Sequence, residues 1–229
     1  ITANAFLAQR ISSINSIGAL CESTGANISE VARAIGSDKR IGSKFLDAGP
    51  GFGGSCFKKD ILNLVYLSSY FGLPDVANYW ESVVKLNNWH QNRISKLIVQ
   101  KLFGTITAKK ICILGFSFKA NTNDTRESSA IKICHDLLEE GANLFIHDPK
   151  VKLKQIESDL SKKTSNIDLD YEKESNNREG NWFYCNNIYD AAKGADAIVV
   201  LTEWEEYSNL DWDFIAKIMR QPAWIFDSR

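Results

Sequence analysis

The sequence predicts an α/β protein in which an all-helical domain with a long linking helix precedes a doubly wound, Rossmann-like parallel-sheet domain. In the first hundred residues, apolar side chains recur at three- and four-residue spacing, which is typical of amphipathic helices. After Gly104, short apolar runs alternate with helix-periodic segments, which is typical of βαβ units. Since 229 residues exceed the length of most single domains, we expect two, residues 1–104 and 105–229.

The helical domain begins with an apolar, helix-periodic segment that ends at Gly25. A short second helix is expected to be capped by Ser29 and closed by Gly36. Residues 37–55 carry no periodic pattern and predict an irregular loop. A third helix, for which Ser55 would be the N-cap, then starts with Cys56 in its first turn.

A fourth helix is predicted from Asp75 to Leu102, because this segment contains neither Pro nor Gly. At 1.5 Å per residue it would be roughly 40 Å long. Its apolar side chains cover more than one stripe, so it needs partners on several sides. We expect it to link the domains and to contribute to a subunit interface. A helix buried only within its own chain is the alternative.

Four apolar runs predict the strands of the second domain, and they are residues 110–115, 143–148, 197–201 and 223–227. Helices are expected at 128–140 and near 187–193 and 211–219. The intervening segment 151–181 is rich in Lys, Ser, Asp, Glu and Asn and predicts a surface excursion. Ile156, Leu160, Ile167 and Leu169 would anchor it loosely.

Charge and composition exclude several classes of function. A formal net charge of −1 provides no electrostatic footprint for nucleic acid. No apolar run approaches the roughly 18 residues that suggest a membrane span, and we expect no cleavable signal before the fold. The five cysteines form no C-x-x-C pair, so we expect reduced thiols, a cytoplasmic location and no metal.

A glycine-rich loop delivers Cys56 to the start of the third helix. The helix dipole and nearby Lys58 and Lys59 favour a thiolate there, which can attack a carbonyl. Asp60 follows one turn later on the same helix face, where a carboxylate can orient or deprotonate water. The alternative for Cys56 is a small buried core residue.

The first strand of the second domain ends in a turn at Gly115 that carries Lys119. Ligands of such domains bind at the carboxyl ends of the strands. Ser117 and Ala120 stand where a dinucleotide fingerprint has its second and third glycines, so a nicotinamide site in this turn is not expected. Lys119 offers a cation for a phosphate or a sugar hydroxyl. The alternative is a solvated loop lysine.

Several segments of the chain closely resemble the UDP-glucose 6-dehydrogenases, in order and over the whole chain. The segments are residues 3–15, 40–46, 51–60, 115–119 and 124–128. Members of that family begin with a dinucleotide-binding domain that carries G-x-G-x-x-G after its first strand, and no such triplet follows a predicted strand in this sequence. The resemblance therefore implies that the chain is the C-terminal portion of a longer enzyme and lacks the N-terminal NAD-binding domain.

The resemblance implies two successive oxidations by NAD that convert UDP-glucose to UDP-glucuronate. Cys56 would attack the intermediate aldehyde, and the thiohemiacetal would be oxidised to a thioester and hydrolysed. It also implies catalytic roles for Asp60 and Asn4, the latter at the oxyanion and the water. A homodimer or larger homo-oligomer would form through the helical domain.

The resemblance also implies further contacts for UDP-glucose and NAD. The substrate-contacting residues would be Asn4, Arg40 from the neighbouring subunit, Phe45, Leu46, Gly49, Phe52, Gly53, Phe118, Lys119 and Arg229. Cys56, Lys59 and Arg126 would lie on the cofactor side, although pairing of these cations with Asp60, Asp124 or Glu127 is the alternative. Asp47 and Gly49-Pro50 depart from the animal-type pattern of the family.

Two other functions stay open at this point. A related GDP-mannose or UDP-N-acetyl-sugar dehydrogenase would share the cysteine loop. A catalytically inactive, dimerising fragment that binds a nucleotide sugar is the second alternative, because hydride transfer needs NAD held against the sugar.

Overall fold

The computed structural model describes residues 1–160 and 179–229. Their contacts divide into two compact units, Ile1–Gln91 with Arg229 and Asn92–Ser228. The division falls within a 28-residue helix, so one helix contributes residues to both units. The domain boundary that the sequence places at residue 104 stays a prediction.

The first unit is built from helices, whose bounds are α1 Thr2–Thr24, α2 Ile28–Gly36, α3 Phe57–Tyr70 and α4 Pro74–Lys101. The left-handed residue Gly25 ends α1, as the sequence predicts. The predicted N-cap of α2 is wrong by two residues. Asn27, and not Ser29, caps this helix, because its side-chain oxygen accepts hydrogen bonds from the backbone amides of Ser29 and Glu30.

The core of the first unit lies among α1, α3 and α4. It contains Ala5, Ala8, Phe52, Ile61, Val83 and Val84. Ala5 and Ala8 of α1 are fully buried, and their small side chains allow a close approach of neighbouring elements. In addition, the Ser12 hydroxyl donates to the carbonyl of Val83 at 3.3 Å, which ties α1 to α4. This packing fixes the framework on which the loop before Cys56 rests.

The second unit alternates strands and helices. Its elements are β1 Lys110–Leu114, α5 Ser129–Glu139, β2 Asn143–His147, α6 Leu153–Leu160, β3 Trp182–Tyr184, α7 Ile188–Ala192, β4 Ala197–Val200, α8 Glu205–Ser208, α9 Trp212–Ile218 and β5 Trp224–Asp227. Within the described ranges, five parallel strands form one sheet in the order β3-β2-β1-β4-β5. This order confirms the predicted Rossmann-like fold.

Alternate residues of β1 pack into separate cores on the two faces of the sheet. Ile111 and Ile113 join one cluster with the end of α4, α5 and α6, whereas Cys112 and Leu114 join another with α7, α8 and α9. All four side chains are fully buried. Helices therefore cover both faces, which explains why the central strands read as continuous apolar runs.

Two features of this unit depart from the sequence prediction. The anchoring by Ile156 and Leu160 is confirmed, because both are buried in the main core. The predicted surface excursion is wrong for this part of the segment, which forms the helix α6. The strand β3 was not predicted, since three residues carry too little pattern to be recognised. Ile167 and Leu169, the other predicted anchors, lie outside the described residues.

No helix in the described ranges combines the length and hydropathy that crossing a bilayer requires. In the same part of the chain, no three His, Cys, Asp or Glu side chains are grouped so as to hold a metal ion.

Candidate functional site

The thiol of Cys56 is exposed at the start of α3, whereas the cysteines at 21, 112, 134 and 185 are buried. The core alternative for Cys56 is therefore wrong. Cys56 itself occupies the N-cap position that was predicted for Ser55, and α3 begins one residue later. The Ser55 hydroxyl lies 3.7 Å from the Cys56 sulfur. The thiol thus lies at the positive end of the helix dipole. Cys56 directly precedes the first turn of α3, whereas the sequence placed it within that turn.

Burial raises the pKa of the other thiols in the second unit. Desolvation raises the pKa of Cys185 to about 11, and it raises the pKa values of Cys112 and Cys134 further. These thiols stay protonated at neutral pH and are poor nucleophiles. Cys56 is thus the exposed candidate for covalent chemistry among the five cysteines.

Asp60 and Asn4 form a hydrogen-bonded pair in the first unit. Asp60 lies one turn beyond Cys56, and its backbone amide donates to the Cys56 carbonyl at 2.9 Å. Asn4 of α1 donates from Nδ2 to Asp60 Oδ2 at 2.7 Å. The fold therefore brings two of the predicted catalytic residues, Asn4 of α1 and Asp60 of α3, into direct contact.

The hydrogen bond from Asn4 is the largest influence on the pKa of Asp60, which lies below its ordinary value. Partial burial opposes this shift, while the positive charge of Lys59 supports it. Asp60 is thus a carboxylate at neutral pH and can accept a proton or orient a water molecule.

The loop before Cys56 combines buried and exposed side chains. Phe45 has a positive φ of 61° and is 42% exposed, whereas Leu46 and Phe52 are each only 5% exposed. Gly53 is buried and Gly49 is half-buried. Phe52 packs edge-on against Phe57, with their ring centroids 6.0 Å apart.

Three buried side chains that the sequence analysis missed hold this loop. Asn15 of α1 and His90 of α4 bond the amide and the carbonyl of Gly49, and Asn87 of α4 bonds both backbone groups of Phe52. The signal was present, because residues 87 and 90 continue the buried stripe of α4 that includes Val83, with polar side chains at core-facing positions.

Arg40 does not approach this group through any hydrogen bond that the structure gives it. Its guanidinium, 89% exposed, pairs with Asp38 at 2.6 Å. That hydrogen bond raises the pKa of Arg40 and lowers the pKa of Asp38. The proposed role of Arg40 in a neighbouring subunit stays a prediction.

Arg229 groups with the first unit. It lines a cavity of about 370 Å³ together with Arg33, Ser43, Leu46 and Asp47. Its lining contains two arginines, two serines, Ser29 and Ser43, and one aspartate, and these are suitable partners for a polar or anionic ligand.

In the second unit, the turn after β1 is fixed by side chains from neighbouring strand ends. Asp148, which follows β2, accepts hydrogen bonds from the amides of Phe116 and Ser117 at 2.8 and 3.0 Å. The Thr202 hydroxyl, after β4, donates to the Ser117 carbonyl at 2.7 Å. These contacts hold the segment that carries Phe118 and Lys119 at the carboxyl edge of the sheet.

The side chain of Lys119 is exposed, and its ammonium lies 5.4 Å from the centroid of the half-buried Phe118 ring. The ammonium can reach a phosphate or a sugar hydroxyl, and the aromatic ring beside it can pack against the face of a base or a sugar. The pair therefore has the composition expected of a nucleotide-sugar contact.

The same turn does not fit the pyrophosphate of a dinucleotide. The Phe116 and Ser117 amides, which a phosphate would need, already donate to Asp148, and the Ala120 amide donates to Glu203 at 3.2 Å. Gly115 is required by the protein itself, since an added Cβ would lie 2.4 Å from the Thr202 Cβ. The predicted lack of a nicotinamide site in this turn agrees with these contacts.

Lys59 and Arg126 belong to different units. Lys59 is exposed and contributes to the low pKa of Asp60. Arg126 pairs with Asp124 at 2.7 Å, which is the alternative that the sequence leaves open for it. This pairing lowers the pKa of Asp124. Neither residue builds a cofactor cradle in the described part of its unit.

Comparisons with known proteins agree with this two-part arrangement. The model of the UDP-glucose/GDP-mannose dehydrogenase family, central domain, matches residues 1–89, and that of the UDP binding domain of the same family matches residues 112–229. The chain is 54% identical over 229 residues to UDP-glucose 6-dehydrogenase from Caenorhabditis elegans. It is 53% identical over 229 residues to the same enzyme from Gallus gallus.

The match covers the whole of this chain but only 46% and 45% of those two relatives. The chain thus spans about half the length of the curated relatives it matches. A solved structure of a UDP-glucose dehydrogenase from Pyrobaculum islandicum superimposes with a TM-score of 0.80 and 28% identity, covering 100% of this chain and 46% of that one.

Proposed function

Because this chain belongs to the UDP-glucose/GDP-mannose dehydrogenase family, we propose that it forms the thiol-bearing and UDP-sugar-binding part of an NAD-dependent UDP-glucose 6-dehydrogenase. The observation that carries the proposal is the exposed Cys56 at the start of α3, with the carboxylate of Asp60 one turn away and held by Asn4. Identity of about half to UDP-glucose 6-dehydrogenases along the whole chain supports this substrate over GDP-mannose.

Cys56 acts on the aldehyde that the first oxidation of the C6 alcohol produces. The thiolate adds to the aldehyde carbon, and the oxygen takes up a proton to give a thiohemiacetal. NAD, when bound, supplies the acceptor for a hydride in each of the two oxidations. Loss of the second hydride and of the hydroxyl proton leaves a thioester on Cys56. Water then breaks the carbon–sulfur bond, which releases UDP-glucuronate and returns the thiol.

Asp60 and Asn4 act on the water of the last step. The lowered pKa of Asp60 keeps its carboxyl group ionised at neutral pH, so it can accept a proton from the attacking water. Asn4 donates one amide hydrogen to Asp60, and an asparagine amide carries a second hydrogen for the developing oxyanion. This division of roles leaves Cys56 as the only covalent group.

The contacts to the nucleotide sugar are proposed residue by residue. We assign the UDP part to Phe118, Lys119 and Arg229, and the sugar to the loop before Cys56. That loop supplies Phe45, Leu46, Gly49, Phe52 and Gly53. Arg40 of a second copy completes the sugar site, so the protein works as a homodimer or larger homo-oligomer. Lys59 and Arg126 face the cofactor.

The described residues supply no cradle for NAD, since the turn after β1 commits its amides to Asp148 and Glu203. The chain alone is therefore expected to bind the UDP-sugar without oxidising it. Residues outside the chain would hold most of the cofactor.

The test is single-turnover chemistry with the whole protein and its Cys56→Ser variant. The whole protein is expected to form two NADH per UDP-glucuronate and, after quenching, to carry the UDP-glucuronyl mass on the peptide that contains Cys56. The variant should form no UDP-glucuronate and no adduct. Full UDP-glucuronate formation by Cys56→Ser would rule out the proposed covalent role.

A further inference from the structure

Three buried polar side chains bracket the loop that leads to Cys56, and we call them the loop clamp. Gly49 is held from both sides, because its amide donates to Asn15 Oδ1 at 2.9 Å and its carbonyl lies 2.9 Å from His90 Nε2. Phe52 donates its amide to Asn87 Oδ1 at 2.9 Å and accepts from Asn87 Nδ2 at 3.3 Å. The clamp comprises Asn15, Asn87 and His90.

The clamp residues are costly to bury unless their hydrogen bonds are made. Asn15 is 1%, Asn87 5% and His90 7% exposed. Asn87 lies one turn from Val83 of the apolar core. An apolar residue at this position would pack without any loop contact, so the polar side chain serves the loop and not the helix.

The contacts also fix the chemistry of each clamp residue. A carbonyl can only accept, so His90 Nε2 must carry the hydrogen that it shares with Gly49. The two bonds of Asn87 to one residue repeat the pairing of neighbouring β-strands and set the rotation of the Phe52 backbone.

A contact between two aromatic rings connects Phe52 to the start of α3, where Cys56 lies. Phe52 packs edge-on against Phe57, and Phe57 is the first residue of α3, directly after Cys56. A shift of the clamped loop therefore moves the N-terminus of α3 and the thiol on it.

We infer that the loop clamp is a set of positioning residues that aligns the Cys56 thiol and the sugar-contacting loop. The role in catalysis rests on the function proposed above, whereas the alignment of the thiol in the free chain does not. Removing a clamp bond is thus expected to lower both the turnover of the whole protein and the reactivity of Cys56 in the chain.

The test compares Asn87→Ala and His90→Leu with His90→Gln, whose side-chain amide can still donate to Gly49. Asn88→Ala is the control, since Asn88 is the exposed neighbour of Asn87 on α4. Circular dichroism establishes that each variant is folded at the assay temperature. The rate of alkylation of Cys56 by iodoacetamide is measured in the chain, where the other four cysteines are buried. Values of kcat and KM are measured in the whole protein.

Asn87→Ala and His90→Leu should lower the alkylation rate about two- to fivefold, as a thiol loses its place at a helix N-terminus. In the whole protein, kcat should fall on the order of 10- to 100-fold through misalignment. His90→Gln and Asn88→Ala should retain wild-type rates. If Asn87→Ala does not fold, the His90 pair decides.

A folded Asn87→Ala or His90→Leu variant with wild-type alkylation rate and kcat would overturn the inference, whatever its melting temperature. If the wild-type whole protein does not oxidise UDP-glucose, the proposed function fails, while the alkylation rates still decide whether the clamp positions the thiol.

Discussion

Replacing Gly115 by alanine is expected to destabilise the second unit more than the same change at another left-handed glycine. Gly115 ends β1 with a φ of +95°, and an added Cβ would lie 2.4 Å from Thr202 Cβ and 2.7 Å from the Thr202 backbone nitrogen. Gly104 has a similar φ of +79°, but no atom of the described residues lies within 4 Å of its added Cβ. The two positions therefore separate backbone strain from steric overlap.

The expected cost follows from these two contributions. An alanine in a left-handed conformation costs roughly 1–2 kcal/mol at either position. Overpacking adds roughly 1–3 kcal/mol at Gly115 alone, because the Thr202 backbone nitrogen cannot rotate away. We expect a loss of about 2–5 kcal/mol for Gly115→Ala and about 1–2 kcal/mol for Gly104→Ala.

Urea unfolding followed by circular dichroism measures both variants against the wild-type chain. A second variant, Gly115→Ala with Thr202→Ala, should recover little of the loss, since it removes the Oγ1 contact at 2.6 Å but keeps the Cβ and the backbone nitrogen of residue 202. Equal destabilisation by Gly115→Ala and Gly104→Ala would refute the steric argument. Full recovery in the double variant would show that the side chain alone caused the overlap.

Three further predictions concern other parts of the chain. Because Asn4 lowers the pKa of Asp60, their contact should stabilise the fold above about pH 4 and lose that effect as the pH falls through the pKa of the folded state. Asn4→Ala should raise the pKa of Asp60, which NMR titration of the carboxyl group measures. An unchanged pKa would contradict the assignment. Ile156→Ala should lower the free energy of unfolding, measured in urea, by about 2–4 kcal/mol. Ile225→Ala, at a 44% exposed position, should lower it by less than about 1 kcal/mol. Equal losses would place α6 outside the core. Arg40→Ala should leave the melting temperature of the chain unchanged but lower the activity of the assembled protein, and wild-type activity would exclude its role across subunits.

Much of the fold follows from apolar periodicity. The end of α1 at Gly25, the start of α4 close to Asp75 and the four longer strands were predictable because glycine, proline and continuous apolar runs act locally. The cap at Asn27 was missed, since Asn27 and Ser29 are both good caps and only the folded backbone decides between them. The strand β3 and the helix α6 were missed because each depends on the core it packs against.

In the candidate site, too, local features were predictable from the sequence and long-range contacts were not. The spacing of Cys56 and Asp60 is local to one helix and was predictable, whereas the bond from Asn4 to Asp60 crosses 56 residues and followed only from the resemblance. The loop clamp was not predicted, because Asn87 and His90 bond residues 35 and 41 positions away. The helical spacing indicates that residues 87 and 90 face the core, but it does not indicate which backbone groups they bond.

Calorimetric titration of the chain with UDP-glucose and, in parallel, with GDP-mannose tests the central claim most directly. We expect the chain to bind UDP-glucose selectively and the Lys119→Ala variant to bind it at least about tenfold more weakly, the size of one charge-assisted hydrogen bond. Lys101→Ala, at an exposed position of α4, should bind as the wild type does. Preference for GDP-mannose, or undiminished UDP-glucose binding by Lys119→Ala, would contradict the proposed UDP-sugar site.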